Sequence, residues 1–275
     1  MVLRSMPRLT NQHIRSLRYY NCGHCVNRLG FAYRGYSFKK HIFPSGVFLV
    51  EHAKGYVLFD TGYSTSIYKT SMRGWLYRRL NPTQVRETEE IVHQLRQDGI
   101  DADDINYIIV SHLHPDHIGG LKHFPKSKLI ISKGVLQTLR NPSFTDLVFK
   151  TLLPKRLESQ VMELESMGLK RSSVKSFKGY DLFGDGGIVI GHLEGHAHGH
   201  LGAMIANKIL LAGDACWGIN LLEASKNMRI LTQLIHHDQT SFLDTIDLLQ
   251  ELQKKGIRLC FSHDTYDTKD LLSEE

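Results

Sequence analysis

Between His112 and His117 the chain reads His-Leu-His-Pro-Asp-His, three imidazoles and a carboxylate within six residues. Neutral imidazole and carboxylate are donors that borderline divalent metals prefer. In an extended turn, alternation sends His112 and His114 to one side while Asp116 and His117 reach a different point. That geometry suits two neighbouring metals better than one.

One segment does not complete such a site, and three others offer partners. Gly195-His196-Ala197-His198-Gly199-His200 follows an apolar run at 188–193, Asp214 follows another at 209–213, and His263 ends a third at 257–262. The first cluster itself follows the run at 105–110. Short apolar runs of this kind read as buried strands. Each candidate ligand therefore sits at a strand's C-terminal end, where loops gather on a rigid scaffold.

The series HLHPDH, GHAHGH, GD and SHD resembles the metallo-β-lactamase superfamily. Within it the chain looks most similar to the lactonase-like hydrolases that open N-acyl homoserine lactones. The likeness runs from about Pro44 to Asp264 and includes Asp60-Thr61-Gly62, which matches the family's DTG turn. It implies an α/β fold, an αββα sandwich of two mixed β-sheets flanked by helices, with metals at one edge. It also implies two divalent ions: His112, His114 and His196 on the first, Asp116, His117 and His263 on the second, Asp214 bridging. Zinc is the default for such donors, with iron or manganese as alternatives.

Relatives with other chemistries match less well. A flavodiiron-type reductase would carry an acid where His114 stands. The one-cysteine β-lactamases have Cys in place of Asp214, and the other dizinc β-lactamases lack a bridging Asp. Two departures from the lactonase pattern stand out. The usual HTPGH has His198 in place of Pro, leaving His196 as the ligand and giving His200 a loop-supporting role. Trp217 stands where some lactonases have a Tyr close to the substrate carbonyl; its indole donates a hydrogen bond but is not an acid. Asp60, Ser111 and Asp264 are expected to hold the ligands' far nitrogens, since metal-bound imidazoles donate their other N–H to a carboxylate or carbonyl.

The implied chemistry is hydrolysis by a metal-bridging hydroxide, with one metal polarising the carbonyl and Asp116 passing a proton to the leaving group. Asp116 and Asp214 are thus the candidate catalytic carboxylates. A lactone or other ester is the expected substrate, N-acyl homoserine lactone-like. Thioester hydrolysis of the glyoxalase II type, phosphodiester or nuclease chemistry, and a metal-containing ligand-binding sensor are the alternatives. A nuclease would show a broad basic groove or an appended domain, and only the short Arg-rich run at 72–80 is visible.

The 275 residues are 41% hydrophobic and 23% charged, as expected of a single globular domain over 1–275. The stretch at about 133–179 reads as a strand-poor insertion. The polar, basic start lacks a signal peptide's apolar core, and no run approaches membrane-spanning length, so a cytoplasmic location is expected. Cys22-Gly23-His24-Cys25 has thioredoxin-like spacing, but no strand–CxxC–helix pattern surrounds it.

Strands are predicted at 47–51, 55–60, 105–110, 128–132, 188–193, 203–206, 208–213 and 257–262, with helices at 84–98 and 239–255. The net charge of +6 and pI near 9.0 favour anionic partners. The aromatic and basic run at 72–80, with Trp75 and Tyr77, and the apolar run from 147 to 157 are expected to line or cap the substrate channel. They suit a small amphiphilic or anionic molecule, and the first run is alternatively a solvated helix or a homodimer contact.

Overall fold

The computed structural model describes residues 13–233, 236–267 and 270–272. Among the described residues thirteen strands form two sheets. The first contains β1 (Ile14–Asn27), β2 (His41–His52), β3 (Gly55–Phe59), β4 (Thr83–Gln84), β5 (Ile105–Ile109), β6 (Lys128–Ile131) and β7 (Val161–Glu163), in the order β4-β1-β2-β3-β5-β6-β7. The second contains β8 (Lys170–Val174), β9 (Phe177–Asp181), β10 (Ile188–His192), β11 (Leu201–Ile205), β12 (Ile209–Gly213) and β13 (Arg258–Phe261), in the order β13-β12-β11-β10-β9-β8. Both sheets are mixed: β3, β5, β6 and β7 run parallel, as do β12 and β13, and the remaining pairs are antiparallel.

Strand alternation sorts the apolar residues into three layers. Phe48 and Val50 of β2, Ile188 and Ile190 of β10, and Ile209 and Leu211 of β12 meet between the sheets. Their neighbours Val47, Leu49, Val189 and Leu210 point the other way, beneath helices. Because both faces of each sheet are covered, the central strands are continuous apolar runs rather than alternating ones. The helices are α1 (Leu29–Ala32), α2 (Met72–Leu80), α3 (Ile91–Gln97), α4 (Pro115–Ile118), α5 (Lys133–Arg140), α6 (Leu157–Gln160), α7 (Ile230–Gln233) and α8 (Gln239–Lys254). Phe242, Ile246, Leu249 and Leu252 give α8 its buried stripe, and Asp238 caps it by accepting from the Ser241 N–H.

Three expectations need correction. The helix predicted at 84–98 begins only at Ile91. Arg86 and Glu89 close a separate turn, and the Glu90 carboxylate is drawn inward to accept from Thr65 and His123. The segment 133–179 is not strand-poor, since β7 extends the first sheet and β8 and β9 complete the second. Polar sequences such as Lys-Arg-Ser-Ser-Val in β8 hide an edge strand from an apolar-run search. Finally, β1 is a 14-residue strand with no predicted counterpart, its alternation scrambled by a bulge between Asn21 and His24. Among the described residues no helix is long and apolar enough to cross a membrane.

Candidate metal centre

Five strands deliver the site from their C-terminal ends. β3 leads into Asp60, β5 into Ser111 through His117, β10 into the loop bearing His196 and His200, β12 into Asp214, and β13 into His263. Backbone bonds lock these ends together. Leu201 N–H donates to Ser111 O, Ser262 N–H to Gly213 O, Gly46 N–H to Ser262 O, and Thr61 N–H to His117 O. Gly195 turns the His196 loop with φ of +118°, and a Cβ there would lie 2.2 Å from Phe242 Cα, so only glycine fits.

The side chains converge as two adjoining groups. His112, His114, His196 and Asp214 form one, Asp116, His117, Asp214 and His263 the other, and within each group the potential ligand atoms lie within 4.8 Å of one another. Asp214 belongs to both. Its Oδ1 lies 3.3 Å from His117 Nε2, and its Oδ2 lies 3.2 Å from His263 Nε2 and 3.6 Å from His196 Nε2. Asp116 Oδ2 faces His117 Nε2 at 3.6 Å and His263 Nε2 at 3.7 Å.

Several of these buried atoms have no hydrogen-bond partner among the described residues: His112 Nε2, His117 Nε2, and Asp214 Oδ1. Orphaned buried polar atoms are costly, and here they point toward one another across a shared space. Nitrogen and carboxylate oxygen in that mixture are the donor set of a divalent transition ion. The residues present therefore fit a pair of such ions.

Electrostatics separates the two groups. Burial pushes His112 and His196 well below the ordinary imidazole range, which keeps them neutral, the form that ligates. Burial acts the same way on His117 and His263, but Asp214 and Asp116 outweigh it. They push His117 well up, with help from Asp60, and raise His263 to about 9. Positive charge is favoured on that side because carboxylates gather there.

A supporting layer fixes the imidazoles. Asp60 Oδ2 accepts from His117 Nδ1 at 2.7 Å and from Ser111 Oγ at 2.8 Å, and its Oδ1 accepts from Ser111 N–H at 2.8 Å. Asp60 holds a left-handed φ of 62°, an uncommon conformation for a non-glycine residue and one concentrated at functional sites. Ser111 Oγ also lies 3.0 Å from His112 Nδ1. His263 Nδ1–H donates to Pro44 O at 2.7 Å. Burial pushes His200 down to about 4, leaving Nε2 bare to accept the Asp214 N–H at 3.2 Å. Asp264 differs from the expectation: it holds no histidine and instead accepts from Ile219 N–H at 2.9 Å, fixing the chain after Trp217. His263 instead finds its partner in the Pro44 carbonyl on β2.

A cleft of about 470 Å³ opens beside His114, Asp116, His196, Asp214 and His263. Its walls are largely apolar and include Phe43, Tyr77, Leu147 and Trp217. Trp217 stands edge-on to Tyr33, Phe43 and His196. From α2, Arg73, Leu76, Tyr77 and Leu80 face the cleft at helical spacing. Trp75 does not line it. That expectation is corrected by the helical period, which turns its ring outward to 55% exposure. Tyr77 is anchored by Tyr63, the two hydroxyls 2.7 Å apart.

Cys25 also lines this cleft, whereas Cys22 is buried; both are free and lie on β1 rather than at a helix start. Burial pushes the Cys25 thiol up to about 12 and Cys22 higher still, the reverse of a reactive thiolate. A second, polar cleft of about 570 Å³ shares His112, His114 and His196 and is walled by His198, His236 and His237. His236, stacked on Phe242 with centroids 3.9 Å apart and 5.6 Å from the His196 ring, is the neighbour that sequence reasoning missed. It follows no strand end, and its only signal is the His pair just before the α8 cap.

Residues 43–257 match the family described as the metallo-beta-lactamase superfamily. The N-acyl homoserine lactonase AiiB of Agrobacterium fabrum is 26% identical over 230 residues, covering 80% of this chain and 79% of its own. The metallo-hydrolase mfmC of Annulohypoxylon moriforme is 31% identical over 195 residues, covering 66% of this chain and 50% of its own. A solved N-acyl homoserine lactone hydrolase, with the product N-hexanoyl-L-homoserine at its catalytic metal centre, aligns with a TM-score of 0.67 at 22% identity over 92% of this chain and 94% of that one. A family match over that span, on a two-sheet sandwich whose strand ends gather His and Asp, means that this chain belongs to the metallo-beta-lactamase superfamily.

Proposed function

We propose that the protein is a dinuclear metal-dependent hydrolase that opens a lactone or related ester carrying an apolar acyl chain, with N-acyl homoserine lactones as the reference substrates. The observation that carries this reading is the shared carboxylate of Asp214 between two complete donor groups beside an apolar cleft. Zinc is the proposed metal because the donors are imidazole and carboxylate without thiolate, and iron or manganese would accept the same set. Two such ions, when bound, supply an acidified water and an electrophile for the carbonyl oxygen.

The chain's own residues then have distinct tasks. His112, His114 and His196 would hold one ion, Asp116, His117 and His263 the other, and Asp214 both. Phe43, Tyr77 and Leu147 exclude water from the acyl chain and orient the ester toward Asp116. The Trp217 indole N–H is suited to donate a hydrogen bond to a carbonyl in the cleft, without supplying a proton. Asp116, at the junction of the cleft and both histidines of its group, is placed to carry a proton to the departing alkoxide oxygen.

The test is to purify the protein without chelator, count bound metals, and assay acyl homoserine lactones beside a phosphodiester. About two metals per chain with lactone opening supports the proposal. Phosphodiester cleavage alone would replace the substrate class, and metal-free protein with full turnover would overturn the mechanism.

A further inference from the structure

The apolar cleft opens through a rim that is itself apolar and exposed. Phe31, Leu80 and Phe144 line the cleft yet are 59%, 67% and 70% exposed. Phe38 packs edge-on against Phe31 with centroids 5.3 Å apart, and Met72 and Trp75 carry the apolar character outward along α2. Single exposed side chains of this size are ordinary, but a group of them around a pocket mouth marks a surface that something covers.

Two of the three segments that reach this rim carry charge of one sign, while the third, around Phe144, holds Asp146. Residues 28–43 contribute Arg28, Phe31 and Phe43 to the cleft and residues 64–80 contribute Arg73, Leu76 and Leu80; each range holds four Lys or Arg, and neither holds an Asp or Glu. The chain has 34 Lys and Arg against 28 Asp and Glu. Without those eight cations the balance would be 26 against 28, so these two ranges account for the whole positive excess. Cations and rings are interleaved: the Arg73 guanidinium lies 4.7 Å from the Phe144 centroid, and Arg229 lies 5.8 Å from that of Phe38. The rim helix is fixed from behind by the Tyr63–Tyr77 hydroxyl pair and by the Arg78 bond to Thr70 Oγ1 at 2.9 Å.

A second copy of the chain would make a poor cover. A two-fold contact sets the same patch against itself, so the cations of one copy, Arg28 and Arg73 at the mouth among them, would face those of the other. A surface of anionic headgroups satisfies both features, because aromatic and aliphatic side chains enter the headgroup boundary while Lys and Arg meet phosphates. We propose that this rim docks the protein onto a lipid surface bearing anionic headgroups, with the mouth of the cleft facing that surface. Delivery of amphiphilic esters from the lipid rests on the hydrolase reading above; the docking itself does not.

The experiment is co-sedimentation of the full, metal-loaded chain with vesicles of phosphatidylglycerol and, separately, of phosphatidylcholine. Binding to the first, little to the second, and release by added salt are expected. Trp75 emission should shift to the blue on binding, and Trp75→Phe should remove that shift, leaving Trp217 as the remaining tryptophan. The triple variant Lys39→Glu/Lys40→Glu/Arg79→Glu should lower vesicle partitioning at least about a hundredfold, each cation near an anionic surface being worth about fivefold. None of the three lines the cleft, so turnover of a water-soluble ester should be unchanged. Equal binding to both vesicles, or none to phosphatidylglycerol, overturns the proposal. So does a stable dimer in sedimentation velocity in which Trp75 is already shielded without lipid. Vesicle binding by a protein that hydrolyses nothing would leave the docking standing and remove the hydrolase reading.

Discussion

Asp214 is the residue shared by both donor groups, and Asp60 is the residue that orients their second histidine. Replacing Asp214 by Ala should remove at least one metal and nearly all turnover, read by metal analysis beside an ester assay; retained metal and rate would disprove its place in the centre. Asp60 acts at one remove, through His117 Nδ1 and Ser111. Asp60→Asn keeps size and fold but presents an amide donor to donors, and loss of such an outer partner weakens metal affinity about 10- to 100-fold. A chelator titration comparing the two proteins measures it. These residues were legible because their spacing follows strand ends. His236 was not, since stacking on Phe242 beside His196 comes from packing between distant segments.

The elements carry their own test in the turn before α3. Burial alone would raise Glu90, but His123 and Thr65 outweigh it and hold its carboxyl down to about 2. A carboxyl depressed in the folded state contributes stability that is fully present above its ordinary value of about 4.5 and is lost as pH falls toward about 2. Melting temperatures of wild type and Glu90→Gln should therefore differ most at neutral pH and converge across that acidic window. A gap that does not narrow would show the pair to be idle. A separate test lies in Ser132, whose Oγ accepts from Val135 N–H to cap α5 and donates to Gly199 O at 2.6 Å. Ser132→Ala should cost about 1–2 kcal/mol in denaturant unfolding. The central strands were readable from sequence because both their faces are buried, whereas β1, β8 and the true start of α3 were hidden by a bulge, by polar edge residues and by a glutamate recruited away from its helix.

At the scale of the molecule, the two mixed sheets and their flanking helices follow from the apolar runs and the resemblance together, and the site follows from where those runs end. The distribution of charge was not visible in the total of +6, because a sum does not reveal that two segments near one cleft account for all of it. If two ions bind as proposed, stripping them should lower the melting temperature as well as abolish turnover, since a ligand that binds only the native state stabilises it by mass action.

The His263 bond to Pro44 O spans 219 positions of the chain, and Asp214 reaches His117 across nearly a hundred. Contacts that distant in sequence carry a large loop-closure entropy that must be met before they form. A chain lacking β13 and His263 would keep all four residues of the first donor group and lose one residue of the second. If two ions bind as proposed, the second of them would thus be held fully only once β13 has docked beside β12 and brought His263 to the site.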